Sequence, residues 1–221
     1  MAKYIYIPIM TPEMASIANK WNLERVQAGK NAYQILSVDD QGIAKALRRK
    51  FGGGELNVVA ADDTIWLLSH GISTPTSGGA LAVGNERGGQ LQQTFIGGQT
   101  VVGGHYKFYR VDQLARAIER EGLTKAFVDL RLFCCCAGAP AMHNGNPVQP
   151  FAQRLKNSLV ARGYAGIVVT GFLGDLVAGY SEFFAPGTTY ADQNAVAGCG
   201  LGIKVANEVY VQDAKNHMVR F

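Results

Sequence analysis

Hydrophobic residues in this chain fall into short unbroken runs separated by stretches in which apolar positions return every three to four residues. The runs predict strands over Tyr4–Ile9, Tyr33–Val38, Thr64–Ser69 (TIWLLS), Ala126–Cys134 (AFVDLRLFC) and Gly166–Thr170 (GIVVT). Runs without polar alternation are the mark of strands buried on both faces, as in a parallel sheet. The helical rhythm predicts Thr11–Gln27, with Thr11 as N-cap and Pro12 at the first position, and Asp40–Phe51, stopped by Gly52-Gly53-Gly54. It also predicts Val111–Glu121, with Val111, Leu114, Ala115 and Ile118 on one face, and Pro150–Arg162, with Phe151, Leu155 and Leu159 four apart.

Two regions break the alternation. Residues 78–104 hold nine of the 27 glycines, and with short strands at Leu81–Val83 and Leu91–Ile96 they predict a glycine-rich hairpin or flap. The last 40 residues are glycine-rich and polar, with hairpin strands expected at Asn207–Gln212 and His217–Phe221. Strands alternating with helices imply an α/β fold around a mostly parallel sheet. No linker, repeat or low-complexity tract divides the chain, so one domain over residues 1–221 is expected.

Composition narrows the class. With 221 residues, 48% hydrophobic and 17% charged, the chain is neither disordered nor fibrous. No apolar run reaches the length of a membrane span, and MAKYIYIPIM, interrupted by Pro8, is a poor signal peptide. A reducing compartment is therefore expected, the cytoplasm or a cytosol reached without a classical signal. The net charge of +4 is modest, and Arg48-Arg49-Lys50 is the only basic run, so nucleic acid is not an expected partner.

The four cysteines change the picture more. Cys134, Cys135 and Cys136 are consecutive and Cys199 stands alone. Neighbours on an extended chain point to opposite faces, which disfavours a disulfide framework, and no paired ligand spacing suits zinc. Packing or thiol chemistry is left. Sites in parallel sheets form beyond the carboxyl ends of the strands. TIWLLS runs directly into His70-Gly71, and AFVDLRLF runs directly into the cysteine triplet. If those strands are neighbours, an imidazole faces a thiol, the requirement for a cysteine nucleophile. The N–H of Gly71 and that of the nucleophile would then serve as an oxyanion hole.

The double signature WLLSHG (66–71) and VDLRLFCCCAG (128–138) resembles the caspase-like cysteine peptidases. PFAQRLKNSLVARGYAGIVVTG (150–171) is most similar to the branch found as cysteine protease domains of large bacterial toxins. The resemblance covers about residues 58–175 and implies a three-layer sandwich with a mostly parallel central sheet, here carrying the glycine-rich hairpin and a C-terminal β-hairpin region. It implies a His70/Cys135 dyad without a third residue, Cys135 being followed by Gly138 in the Cys-x-x-Gly form. The shorter Cys-x-Gly form of caspases would select Cys136 instead. The implied function is a cysteine endopeptidase, a bacterial effector or a self-processing protease, acting on protein or peptide and needing no metal or cofactor. Activation by an inositol polyphosphate follows from the toxin-type likeness alone.

Other residues offer competing chemistry. His105, flanked by aromatics, is expected on an edge strand, and His143, in AMHNGNP, is the best substitute base. A papain-like arrangement would use His143 or His217 but wants the cysteine opening a helix, where Pro140 and Gly145-Asn146-Pro147 predict loop. VTGFLGDLVAG (169–179) lacks dinucleotide-binding glycine spacing. Asp62-Asp63 and Asp39-Asp40 are expected in a loop and a helix cap. The alternatives are a non-catalytic caspase-like interaction module and a thiol-dependent acyl-transfer enzyme.

Overall fold

The computed structural model describes residues 1–37, 54–72, 79–96, 99–177, 200–205 and 208–221. The chain opens with β1 (Lys3–Ile7), α1 (Pro12–Gln27), β2 (Gln34–Ser37) and β3 (Thr64–Leu68). A flap follows, β4 (His70–Ile72), β5 (Ala82–Ile96) and β6 (Gln99–Tyr109), and leads into α2 (Val111–Arg120) and β7 (Asp129–Phe133). A small hairpin, β8 (Ala141–His143) and β9 (Asn146–Val148), precedes α3 (Phe151–Val160) and β10 (Val168–Phe172). The remaining elements are β11 (Asp175–Val177), β12 (Gly200–Val205), β13 (Glu208–Asp213), a 3-10 turn at Ala214–His217 and β14 (Met218–Arg220).

Six strands form the central sheet in the order β14-β10-β7-β3-β1-β2. All neighbours run parallel except β14, which lies antiparallel to β10. The pleat sends alternate residues to opposite faces. Tyr4, Tyr6, Ile65, Leu67, Leu130 and Leu132 pack into one core with Leu114, Ala115 and Ile118 of α2 and Phe151, Leu155 and Leu159 of α3. Ile5, Ile7, Leu68 and Phe133 pack into a second core with Met14, Ala18 and Trp21 of α1. Helices thus cover both faces, and the predicted buried stripes of α2 and α3 are the ones in contact. Thr11 caps α1 as expected, its Oγ1 accepting from Met14 N at 3.2 Å.

Three sequence expectations need correction. The glycine-rich segment is a hairpin, but its strands are 15 and 11 residues long rather than two short pieces. Gly84, Gly88, Gly89, Gly103 and Gly104 sit within strands, and the register shifts between Arg87 and Gln92. In the C-terminal region, β13 pairs with β12, not with 217–221, and β14 closes the edge of the central sheet. The apolar Met218 and Val219 are used against Phe172 and Gly171 there. The AMHNGNP segment is a two-strand hairpin, not loop: Asn144 and Gly145 take φ of 51 and 77, the left-handed pair that a tight hairpin turn demands. The predicted helix 40–51, Asp39-Asp40, Arg48-Arg49-Lys50 and Cys199 lie outside the described residues.

Among the described residues no helix is long and apolar enough to cross a membrane.

Candidate functional site

β3 and β7 are adjacent and parallel, with Leu68 paired to Phe133. His70 lies two residues beyond Leu68 and Cys135 two beyond Phe133, at the carboxyl edge of neighbouring strands. The strand order reverses between β1 and β3, since β2 lies on one side of β1 and β3 on the other, so β3 and His70 border the switch point and β7 with Cys135 lies one strand further on.

Parity separates the three cysteines. Cys134 continues the β7 face that holds Leu130 and Leu132 and is buried in that core, its Sγ 3.7 Å from Leu67 O. Burial, and then the neighbouring Cys135, push its thiol well above the usual range, so it stays protonated. Cys135 is half-buried, and Leu176 N–H donates to its Sγ at 3.3 Å. Leu176 belongs to the segment after β10 and packs in the α1-side core. Cys136 takes a left-handed φ of 53, which turns the chain sharply out of the strand. Its N–H donates to Gly174 O at 2.9 Å, and its carbonyl accepts from Ala80 N at 3.1 Å and Ala139 N at 3.2 Å. None of the three is disulfide-bonded.

Glycines allow the strand ends to converge. A Cβ on Gly71 would fall 1.9 Å from the carbonyl oxygen of Cys135 and 3.1 Å from its nitrogen. A Cβ on Gly138 would meet Gly171 carbon at 2.8 Å, so the turn after the cysteines lies directly on β10. Gly71 itself is held in β4, opposite Val83 of the flap.

The imidazole of His70 turns towards α1, where its Nε2 lies 3.1 Å from Oε1 of Glu13. Glu13 sits in the first turn of that helix, and sequence reasoning missed it. Its only signal was an acidic residue after an N-cap threonine and Pro12, which reads as helix-dipole compensation. The backbone donor of Leu176 was likewise invisible, because it depends on where β10 delivers the next turn.

The other sequence candidates are placed elsewhere. His105 lies on β6, the outer strand of the flap sheet, opposite Arg87. His143 is exposed on β8 and lines a cavity on the α2–α3 side. His217 closes the turn before β14, its carbonyl accepting from Leu173 N. Asp63 is a structural residue, accepting the amides of Ala60 and Ala2. VTGFLGDLV runs from strand β10 into strand β11, not into the helix a dinucleotide-binding turn requires. Among the described residues no group of three or more His, Cys, Asp or Glu is arranged to hold a metal ion.

Comparison with family models, curated proteins and solved structures returns no match.

Proposed function

We propose that this protein is a cysteine peptidase of the caspase-like kind, with Cys135 as nucleophile and His70 as its acid-base partner. The observation that carries the reading is the convergence of the β3 and β7 ends, where Gly71 is packed against the backbone of Cys135 and His70 precedes it. Adjacent parallel strands that end in His-Gly and in a half-buried thiol bring to one sheet edge the two kinds of group that a cysteine nucleophile uses.

The chemistry follows from the residues. The Cys135 thiol passes its proton to His70 and its Sγ attacks the scissile carbonyl, while the N–H groups of Gly71 and Cys135 serve the oxyanion. Collapse of the tetrahedral species breaks the C–N bond, and His70 gives its proton to the departing amine. Water then cleaves the thioester, releasing the acid and restoring the thiol. The Leu176 N–H donates to Sγ at 3.3 Å and the Leu176 carbonyl lies 4.0 Å from it, so this residue holds the sulfur in place. Glu13 holds the imidazole in one orientation, so a third residue joins the dyad. Cys134, protonated and buried, is excluded from this role on physical grounds, and the turn at Cys136 leaves Cys135 as the last residue in line with the strand.

Iodoacetamide labelling of the native protein at neutral pH, followed by peptide mapping, tests the assignment. Cys135 is expected to carry the adduct, and Cys135→Ala and His70→Ala to abolish peptide cleavage while each keeps a native melting transition. Adduct on Cys136 would move the nucleophile by one residue. Full cleavage by a Cys135→Ala/Cys136→Ala double variant would overturn the peptidase reading.

A further inference from the structure

A cavity of about 410 Å³ lies on the α2–α3 side of the molecule, apart from His70 and Cys135. Ile72, Leu81, Phe108, Val111 and Val148 supply an apolar wall. Arg110, Arg154, His143 and Asp112 supply its polar part. The two guanidinium groups outnumber the one carboxylate, and Asp112 already accepts from Ser158 Oγ at 2.7 Å.

Arg154 is the unusual member. Its Nε donates to Gln149 O at 2.9 Å and its Nη2 to Ala80 O at 3.3 Å, both neutral backbone acceptors. Among the described residues it has no carboxylate partner. Its guanidinium also lies 5.7 Å from the centroid of the Phe151 ring, so carbonyls and an aromatic face, but no anion among the described residues, answer a cation partly removed from water, and burial lowers its pKa. Two bonds out of five donors also leave the fork with N–H groups to offer. The N-terminus of α2, at Arg110 and Val111, opens on the same cavity and adds positive potential.

We propose that this cavity binds a carboxylate carried on an apolar body, with Arg154 and Arg110 taking the carboxylate and the aliphatic wall taking the body. A single excess positive charge against an apolar wall matches a monoanion better than the more highly charged phosphate, which Asp112 would repel more strongly. The site does not depend on the peptidase reading, because neither His70 nor Cys135 lines it.

The test is an NMR titration of the full chain, labelled with nitrogen-15, following the Arg154 Nε–Hε signal and the Val111 amide. N-acetyl-leucine is expected to give saturable shifts at millimolar concentration, and its amide to bind at least about tenfold more weakly, the loss of one charge-assisted interaction. Arg154→Gln and Arg110→Gln are each expected to weaken N-acetyl-leucine by about tenfold. Arg110 is exposed, so its variant carries the test if Arg154→Gln fails to fold. Binding by Cys135→Ala should equal that of the unaltered protein. Equal affinity for acid and amide would overturn the proposal. So would tighter binding of inorganic phosphate, no saturable shift up to about 20 mM, or affinity unchanged in Arg110→Gln.

Discussion

The two faces of the central sheet are built from the same strands and end in different chemistry. The α2–α3 face is filled mainly by aliphatic side chains from two helices, and it takes Cys134 as one more buried residue. Among the described residues the α1 face has one helix and an aromatic cluster: Trp21 lies 4.7 Å from Phe133 and 5.4 Å from Trp66, centroid to centroid. At its rim stand Glu13 and His70, with the Cys135 thiol held by Leu176 beside the same core. One step along the chain, from Cys134 to Cys135, therefore separates a buried thiol from a half-buried one. The pleat makes the assignment, and each face's packing sets the consequence.

Substitutions can pull the faces apart. The largest effects are expected where a core side chain is removed. Leu155→Ala, on the α2–α3 face, should cost about 3 kcal/mol in urea unfolding, and Trp21→Ala, on the α1 face, about 4 kcal/mol. Only the second should also lower the rate of peptide cleavage in the folded fraction, since only it underlies the rim. Equal loss of activity from both would mean that the faces are not functionally distinct. Gly71→Val belongs with these. Its Cβ would collide with the Cys135 carbonyl, so at least about 3 kcal/mol of stability and essentially all thiol labelling of Cys135 should go.

Smaller effects test the caps and the titrating groups. Thr11→Ala should destabilise by about 1 kcal/mol, seen as a lowered melting temperature, because the Met14 N–H loses its acceptor. For pH, Cys134 is raised by burial and Tyr164 is raised to about 12 by burial, so both hold protons more tightly folded than unfolded. Their contribution is complete below the ordinary thiol value of about 8.5 and is lost as pH rises beyond it, Tyr164 joining from about 10. A urea midpoint that stayed level from pH 8 to pH 11 would contradict this, those limits bracketing the ordinary thiol and phenol values approximately.

The smallest expected change in stability comes from Glu13→Gln. The pair with His70 is exposed, 44% and 55% by side chain, so the melting temperature should shift by no more than about 0.5 kcal/mol would produce. Cleavage should nevertheless slow by about tenfold, because a less firmly oriented imidazole is a poorer acid. An unchanged rate would leave the dyad without Glu13.

Much of the architecture was legible because the apolar runs are short, unbroken and bounded. TIWLLS, DLRLF and the α2 and α3 stripes are found where periodicity put them. The flap differs from the expectation because glycines read as breaks, whereas pairing between β5 and β6 carries Gly84, Gly88, Gly89, Gly103 and Gly104 within strands. The edge strand β14 was misassigned because its three residues hold no sign of their partner. They pair with β10, almost 50 residues away in sequence. The site was half legible. His70, Gly71 and the cysteines stand at strand ends that local sequence identifies. Glu13 and Leu176 enter through α1 and the turn after β10, which no local pattern connects to the cysteines.

Sequence alone was enough to place three cysteines at the end of a buried strand and His-Gly at the end of another, because strand endings and pleat alternation are local properties. Whether those ends meet was a tertiary decision. The order β10-β7-β3-β1 made β3 and β7 neighbours, and a glycine at position 71 let the two backbones touch. Which thiol is sealed and which is offered also awaited the fold, since burial depends on the helices that cover each face.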